Sequence, residues 1–403
     1  LLHPDRLALQ CHPVDSRSQT NRKWIVSTRL VAVAAMWAFV GCAPSGMRTI
    51  SSTPPFVAIR YEHRLAAGAA PIDAASLRQD FAQLTSLGFV AIWLDSGFPD
   101  RDEAAAEAAA AAGLTTIRSD ERIDAYVEFG RLTPDAATPD ALATVSRVAA
   151  AQIGGRPSIL AMPPFLPDTV AGRAQALAAA LQRLQPPQEM LLVGFDGDCG
   201  VASGTSNAIV ATWPEPDEPP VGTLPAPTRQ ILLLTCESHS DSSPARAIAM
   251  QQDYYRGLAQ GRTDGILVWR YRSWPGESNG IADATGHVSP AIAGATRTIT
   301  KHAREWGPLL AGSRRIDAPG VELVSERLRC AVLQRKQRVV ILVYNEDAER
   351  FARGTLRIPG TIDAVAVTRL VAQDTGQRHP RRGDALTIPL RLGPAEAILF
   401  EAH

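Results

Sequence analysis

The 403-residue chain is poor in cysteine and poorer still in lysine, and it has no surplus of either charge. Its five cysteines, Cys11, Cys42, Cys199, Cys236 and Cys330, lie far apart and include no C-x-x-C pair. A zinc knuckle, a thioredoxin-like site and a dense disulfide framework are thereby excluded, and only a single Cys199–Cys236 bridge stays open. Lysine stands at Lys23, Lys301 and Lys336 alone, so arginine supplies nearly all positive charge; we read this as base composition. With 41 basic and 41 acidic residues the formal charge is zero. That balance argues against a nucleic-acid binder, which needs a basic surplus to release phosphate counterions, and against a polybasic membrane-surface protein. What is present is a globular composition, 45% hydrophobic and 20% charged, unlike that of a disordered chain. The length allows two or three ordinary domains, or one large barrel with a smaller unit.

The N-terminal region reads as an address. Arg22, Lys23 and Arg29 form a basic stretch around the start of the apolar run Leu30–Val40. That run is shorter than the roughly 20 residues that span a bilayer and has the length of a signal-peptide core. Phe39-Val40-Gly41-Cys42 follows and resembles a bacterial lipoprotein cleavage box, which implies that Cys42 is lipidated. A plain signal peptide or an uncleaved anchor is the alternative. Residues 1–42 are thus expected to be precursor, and residues 43–55, small, polar and Pro-containing, a tether to the cell envelope.

From residue 56 to about 312, short apolar runs alternate with Ala-rich helical stretches. Strands are predicted over 56–61, 89–94, 114–117, 158–162, 190–195, 208–213, 230–236 and 265–270. Helices are predicted over 75–87, 102–112, 139–153, 170–184, 245–260 and 291–306. The strand runs are continuously apolar, as parallel strands covered on both faces require. Eight strand–helix units favour a closed (β/α)8 TIM barrel over an open sheet, although no helix is evident between units five and six. After Gly312 the chain turns to short strand candidates separated by turns such as Pro359-Gly360 and Arg382-Gly383-Asp384. Residues 313–403 therefore read as a small all-β sandwich.

In a barrel of this kind the loops after the strands carry function. The polar and aromatic residues at those positions are Arg60, Glu62 and His63; Trp93 and Asp95; Asp196 and Asp198; Glu237 and His239; and Trp269, Arg270, Arg272, Trp274 and Glu277. Tryptophans offer flat faces to sugar rings, and arginines and aspartates bind hydroxyls. Glu237 ends an otherwise uncharged strand. It is either a nucleophile with a second carboxyl about 5–5.5 Å away or a structural carboxylate paired with an arginine such as Arg270. Asp196, Asp198 and His239 could instead form a metal-dependent hydrolase, but the spacing fits a solvated turn better. Gly204–Ala208 lacks the last glycine of a serine-hydrolase elbow. No cofactor and no resident metal is expected.

The segments Leu87-Gly88-Phe89 and Thr263–Trp269, with Glu237 at the end of strand seven, resemble the barrel glycoside hydrolases of the β-galactosidase and cellulase type. The resemblance covers about residues 56–403. It implies a retaining two-carboxylate mechanism with Glu237 as nucleophile, Asp168 or Asp196 as acid/base, and Trp269 and Trp274 as sugar platforms. It implies a substrate-binding surface built from Arg60, Glu62, Trp93, Asp95, His239, Arg270 and Arg272, and a carbohydrate partner. The group keeps an acid/base glutamate at the end of strand four. Here that strand runs into Met162-Pro163-Pro164-Phe165-Leu166-Pro167-Asp168, without one. A barrel that binds a glycan without cleaving it, in an envelope lipoprotein, is therefore the alternative expectation.

Overall fold

A computed structural model describes residues 56–62, 72–94, 102–118, 138–141, 159–161, 176, 179–180, 183, 190–194, 208–212, 229–236 and 242–403. Eight parallel strands close a barrel in chain order. They are β1 (Phe56–Tyr61), β2 (Ala91–Leu94), β3 (Thr115–Arg118), β4 (Ile159–Ala161), β5 (Met190–Gly194), β6 (Ala208–Thr212), β7 (Arg229–Leu234) and β8 (Gly265–Val268). β8 returns to β1 in the register Phe56↔Gly265 through Ile59↔Val268. Closure leaves no edge strand exposed, so every ladder group can be paired.

The pleat divides β1, β2, β7 and β8 between two cores. Phe56, Ala58, Trp93, Ile231, Leu233, Leu267 and Trp269 belong to the barrel interior. Val57, Ile59, Tyr61, Leu232, Leu234 and Val268 face outward beneath the helices. Both faces being dry explains why the strands read as unbroken apolar runs. Gly265 has φ +145°, and a Cβ there would lie 2.1 Å from the Phe56 carbonyl oxygen, so only glycine lets β8 approach β1 this closely.

Four helices lie among the described residues: α1 (Ala74–Ser86), α2 (Asp102–Ala111), α3 (Ser243–Ala259) and α4 (Pro290–Leu310). α1 starts at Asp73, whose carboxylate accepts from the Ala75 and Ser76 N–H groups, as an N-cap should. It stops at Gly88, which takes φ +94°. Its buried face, Leu77, Phe81 and Leu84, follows helical spacing. Most of the helices expected over 139–153 and 170–184 fall outside the described residues, as does the connection between β5 and β6.

The remaining strands are antiparallel. β9 (Arg314–Ile316), β11 (Leu328–Arg335), β12 (Arg338–Asn345), β16 (Arg369–Ala372), β17 (Arg378–Pro380) and β19 (Ala397–Ala402) form a six-stranded sheet. Its order is β17-β16-β19-β12-β11-β9. β10 (Glu322–Val324), β13 (Ala352–Pro359) and β18 (Ala385–Leu392) form a three-stranded sheet in the order β10-β13-β18. One apolar cluster, including Leu356, Ile388, Ile341 and Phe400, joins the two sheets, the arrangement of a sandwich. Asp363 and Ala364 have positive φ and turn a short hairpin between β14 (Thr361–Ile362) and β15 (Val365–Ala366).

The sandwich does not stand apart from the barrel. Leu333, Leu342, Tyr344 and Leu399 belong to the same apolar cluster as the barrel's helices. Tyr255 of α3 lies 6.4 Å from Tyr344, and His302 stacks on Trp306 at 3.9 Å. The Trp306 indole donates to Asp374 at 3.2 Å, and the Gln252 amide to the Glu346 carbonyl at 2.6 Å. At the opposite end of β8, one Asp264 carboxylate accepts from the N–H groups of Gln230 and Gly312. It thus ties the starts of two barrel strands to the start of the sandwich.

Burial pushes His302 down from 6.5 to about 4, helped by Lys301. Below pH 6.5 the unfolded chain takes up a proton here that the folded chain refuses. Stability should therefore fall as pH drops from about 6.5 toward 4, by roughly 2 kcal/mol at this one group. In His302→Phe, which keeps the stack on Trp306, that part of the loss should vanish. Denaturant unfolding at pH 7 and 4.5 measures it, and parallel losses in both proteins would contradict the assignment.

Candidate functional site

Strands β1, β2 and β8 deliver a connected group of side chains to the C-terminal mouth of the barrel. Arg60 lies opposite Trp93 in the β1–β2 register. Its guanidinium sits 4.3 Å from the Trp269 ring and 5.3 Å from the Trp93 ring. The two indoles meet edge-on at 5.8 Å. This is a cation–π stack on the barrel floor, sheltered enough to be worth more than an exposed one.

Above it, Glu62 collects three donors. Arg60 reaches its Oε1 at 2.7 Å and Arg270 reaches the same oxygen at 3.3 Å. The Trp274 indole N–H donates to Oε2 at 2.7 Å. All the charged partners are largely buried. The shared carboxylate lowers the cost of burying both guanidiniums, since a buried charge needs a nearby counterion. Glu62 is thus committed to internal partners. It joins the end of β1 to the segment that follows β8.

That segment is held firmly. Past Trp269 the backbone returns on itself through Ser273 N–H to Ala282 O at 2.8 Å and Ala282 N–H to Tyr271 O at 2.7 Å. Ser273 Oγ also donates to the Ala282 carbonyl and accepts from the Gly280 N–H. At its tip the Trp274 N–H donates to Asn279, whose amide in turn donates to Glu277. Trp274 lies over the Arg270 guanidinium at 4.2 Å and is 38% exposed. Glu277 stands 3.8 Å from Arg270 with its carboxylate half-exposed. The mouth therefore presents one partly open indole beside a carboxylate and an amide, on a base of neutralised charge.

Six of the expected residues, Arg60, Glu62, Trp93, Trp269, Arg270 and Trp274, are brought together. Two of them differ from expectation in what they present. Trp269 is 9% exposed beneath Arg60, and Trp93 is buried as well. They form the floor, and Trp274 is the indole open to a ligand. Arg272 departs altogether, since it lies behind the barrel wall. Its Nε donates to Asp80 of α1 at 2.7 Å, where the Tyr61 hydroxyl donates at 2.5 Å. Burial, reinforced by Asp80, raises the Tyr61 phenol far above its ordinary value, so this cluster is a fixed strut between α1, β1 and the loop after β8.

Asp95, Asp168, Asp196, Glu237, His239 and Cys42 lie outside the described residues, as do His63 and Asp198. Cys236, which precedes Glu237, is described. Its carbonyl accepts from Arg246 Nε at 2.8 Å, and the same guanidinium donates to the Gly280 carbonyl. One arginine thus fastens the end of the β7 segment to the loop that carries Trp274. Arg246 and Asn279 were not singled out in the sequence. The turn 274–279, Trp-Pro-Gly-Glu-Ser-Asn, was the available signal for Asn279, whereas Arg246 sits in a helix with nothing to mark it.

No protein family and no curated protein matches the chain in sequence. Solved structures do match it in fold. AmyP in complex with maltose aligns with a TM-score of 0.52 and 12% identity, over 86% of this chain and 96% of that one. An Anoxybacillus α-amylase aligns with a TM-score of 0.52 and 9% identity, over 86% and 97%. The fold is that of the barrel glycoside hydrolases. A GH30 endoxylanase from Clostridium papyrosolvens C71 aligns with a TM-score of 0.47 and 12% identity, over 87% and 97%.

Replacing Glu62 by Gln removes the carboxylate that Arg60 and Arg270 share. We expect a loss of about 3 kcal/mol in denaturant unfolding, part of which returns in Glu62→Gln/Arg270→Gln. A single variant as stable as the parent would show that the shared carboxylate does not hold the mouth.

Proposed function

We propose that the chain is a glycoside hydrolase-like protein of the bacterial envelope that takes a carbohydrate at the C-terminal mouth of its barrel. The observation that carries this reading is Trp274. Its N–H is anchored on Glu62 and one ring face is occupied by Arg270, yet the indole is left partly open on a rigid loop beside Glu277 and Asn279. An apolar plate flanked by a carboxylate and an amide suits a sugar ring, whose C–H face and hydroxyl rim ask for both. The maltose complex of AmyP gives a carbohydrate ligand to one protein of similar fold, and the neutral overall charge suits such a partner.

For catalysis we infer the retaining two-carboxylate scheme, with Glu237 as nucleophile and Asp168 or Asp196 as acid/base. Its support is the Arg246 clamp. The residue before Glu237, Cys236, is hydrogen-bonded to the guanidinium that also holds the Trp274 loop. In that scheme the Glu237 carboxylate attacks the anomeric carbon while the second carboxyl protonates the departing oxygen. Water then releases the sugar from the enzyme. The second reading, glycan binding without cleavage, is favoured by strand four, which has no glutamate at its end. For location we propose lipidation at Cys42 after removal of the leader.

A panel of aryl glycosides and polysaccharides separates these readings. Trp274→Ala should weaken carbohydrate binding roughly 10-fold or more. Glu237→Gln should leave binding intact and lower hydrolysis at least about 100-fold. Binding without turnover in the parent selects the noncatalytic reading. A Trp274→Ala chain that binds every ligand as the parent does would end the proposal for this mouth.

A further inference from the structure

The zero net charge conceals an uneven distribution, because basic residues outnumber acidic ones in 313–403. Several of them gather on the three-stranded sheet of the sandwich. Along β13 and β18 the inward residues, Leu356, Ile358, Leu386, Ile388 and Leu390, fill the core. The alternate positions face away from it. On that outward face Arg353 and Arg391 stand directly opposite one another. Like charges so placed destabilise a sheet, and among the described residues neither has an acidic partner. Arg357, by contrast, is matched by Glu322 at 3.7 Å. Arg391 leans over Phe351 at 5.1 Å, which is nonetheless 61% exposed. Val324, on β10 in register with Thr355, is 70% exposed.

We propose that this face of the sandwich docks on a bilayer surface rich in anionic lipid headgroups. Charge complementarity accounts for an unneutralised arginine pair kept at a cost to the sheet, and it predicts attraction to lipid phosphates. The exposed Phe351 and Val324 choose a bilayer over a soluble anionic polymer. An apolar side chain next to a cation gains by entering the headgroup boundary and gains nothing from a hydrated polyanion. The chain before the fold points to the same occupant. On the proposed lipidation it starts at Cys42, and residues 43–55 lead from there to Phe56. The Phe56 N–H donates to the carbonyl of Asp264, whose carboxylate holds Gly312, where the sandwich begins. The inference goes beyond sugar recognition and uses a different surface.

Co-sedimentation tests it in the chain from residue 42 onward carrying Cys42→Ser, so that neither the leader nor an acyl chain contributes. The vesicles are phosphatidylcholine alone or mixed with phosphatidylglycerol. Binding should be tighter to the mixed vesicles and weaken with salt. Arg353→Gln/Arg391→Gln should lower the preference for mixed vesicles roughly 30-fold, and Phe351→Ser should weaken binding to both kinds. Trp274→Ala should bind vesicles as the parent does, whatever happens to its sugar binding. Arg369→Gln/Arg378→Gln removes two exposed arginines from the other sheet and should leave the preference unchanged. The proposal is overturned by an undiminished preference in the Arg353/Arg391 variant, by an equal loss in the Arg369/Arg378 variant, or by binding to dextran sulfate without binding to vesicles.

Discussion

A single carboxylate, that of Glu62, organises the mouth of this barrel. It leaves the end of the first strand and meets two guanidiniums and an indole N–H that come from elsewhere in the chain. It helps to hold Arg60 against the Trp269 and Trp93 rings, since a buried cation is stabilised by a nearby anion. It also helps to hold Arg270, which lies under Trp274. The aromatic floor, the neutralised charge above it and the open indole at the rim are three consequences of one shared anion. The same contact bridges β1 to the segment after β8, the place where the barrel closes.

Around that point the fold provides stiffness. Asp80 fixes Arg272 and Tyr61 behind the wall, Arg246 fastens Cys236 to Gly280, and Asp264 ties the starts of β7 and β8 to the sandwich. Each is a polar group buried at some cost and repaid by hydrogen bonds from two segments. The aromatic contact of Tyr255, His302, Trp306 and Tyr344 does the same for the two halves of the fold. A sandwich locked to its barrel in this way presents its outer sheet in a fixed direction.

Much of the architecture could be read from residue order. The continuous apolar runs gave away eight parallel strands, and Leu77, Phe81 and Leu84 gave away α1 with its glycine stop. Short elements such as β9 and β17 escaped, because three residues carry no period. At the site, residue order picked out Arg60, Glu62, Trp93, Trp269, Arg270 and Trp274 but not how they are arranged. The chain leaves the strand after Val268, so alternation no longer says which side of the wall a residue faces. Arg270 stayed in the mouth and Arg272 crossed to Asp80. Exposure was equally illegible. Trp269 looked like a platform and became a floor once Arg60 covered it. Barrel and sandwich also share one core cluster, which residue order does not show. The even charge count, which spoke against a basic surface, averaged over a chain whose arginines are unevenly placed.

The central claim, that Glu62 holds a neutral mouth open with Trp274 as its ligand plate, is tested most directly by a crystal structure of the chain with a bound oligosaccharide chosen by screening. The account predicts a sugar ring against the free face of Trp274, with Glu62 still bonded to Arg60, Arg270 and the indole N–H. A ring bound elsewhere on the barrel, or a Glu62 carboxylate released from its arginines to contact the sugar, would contradict it.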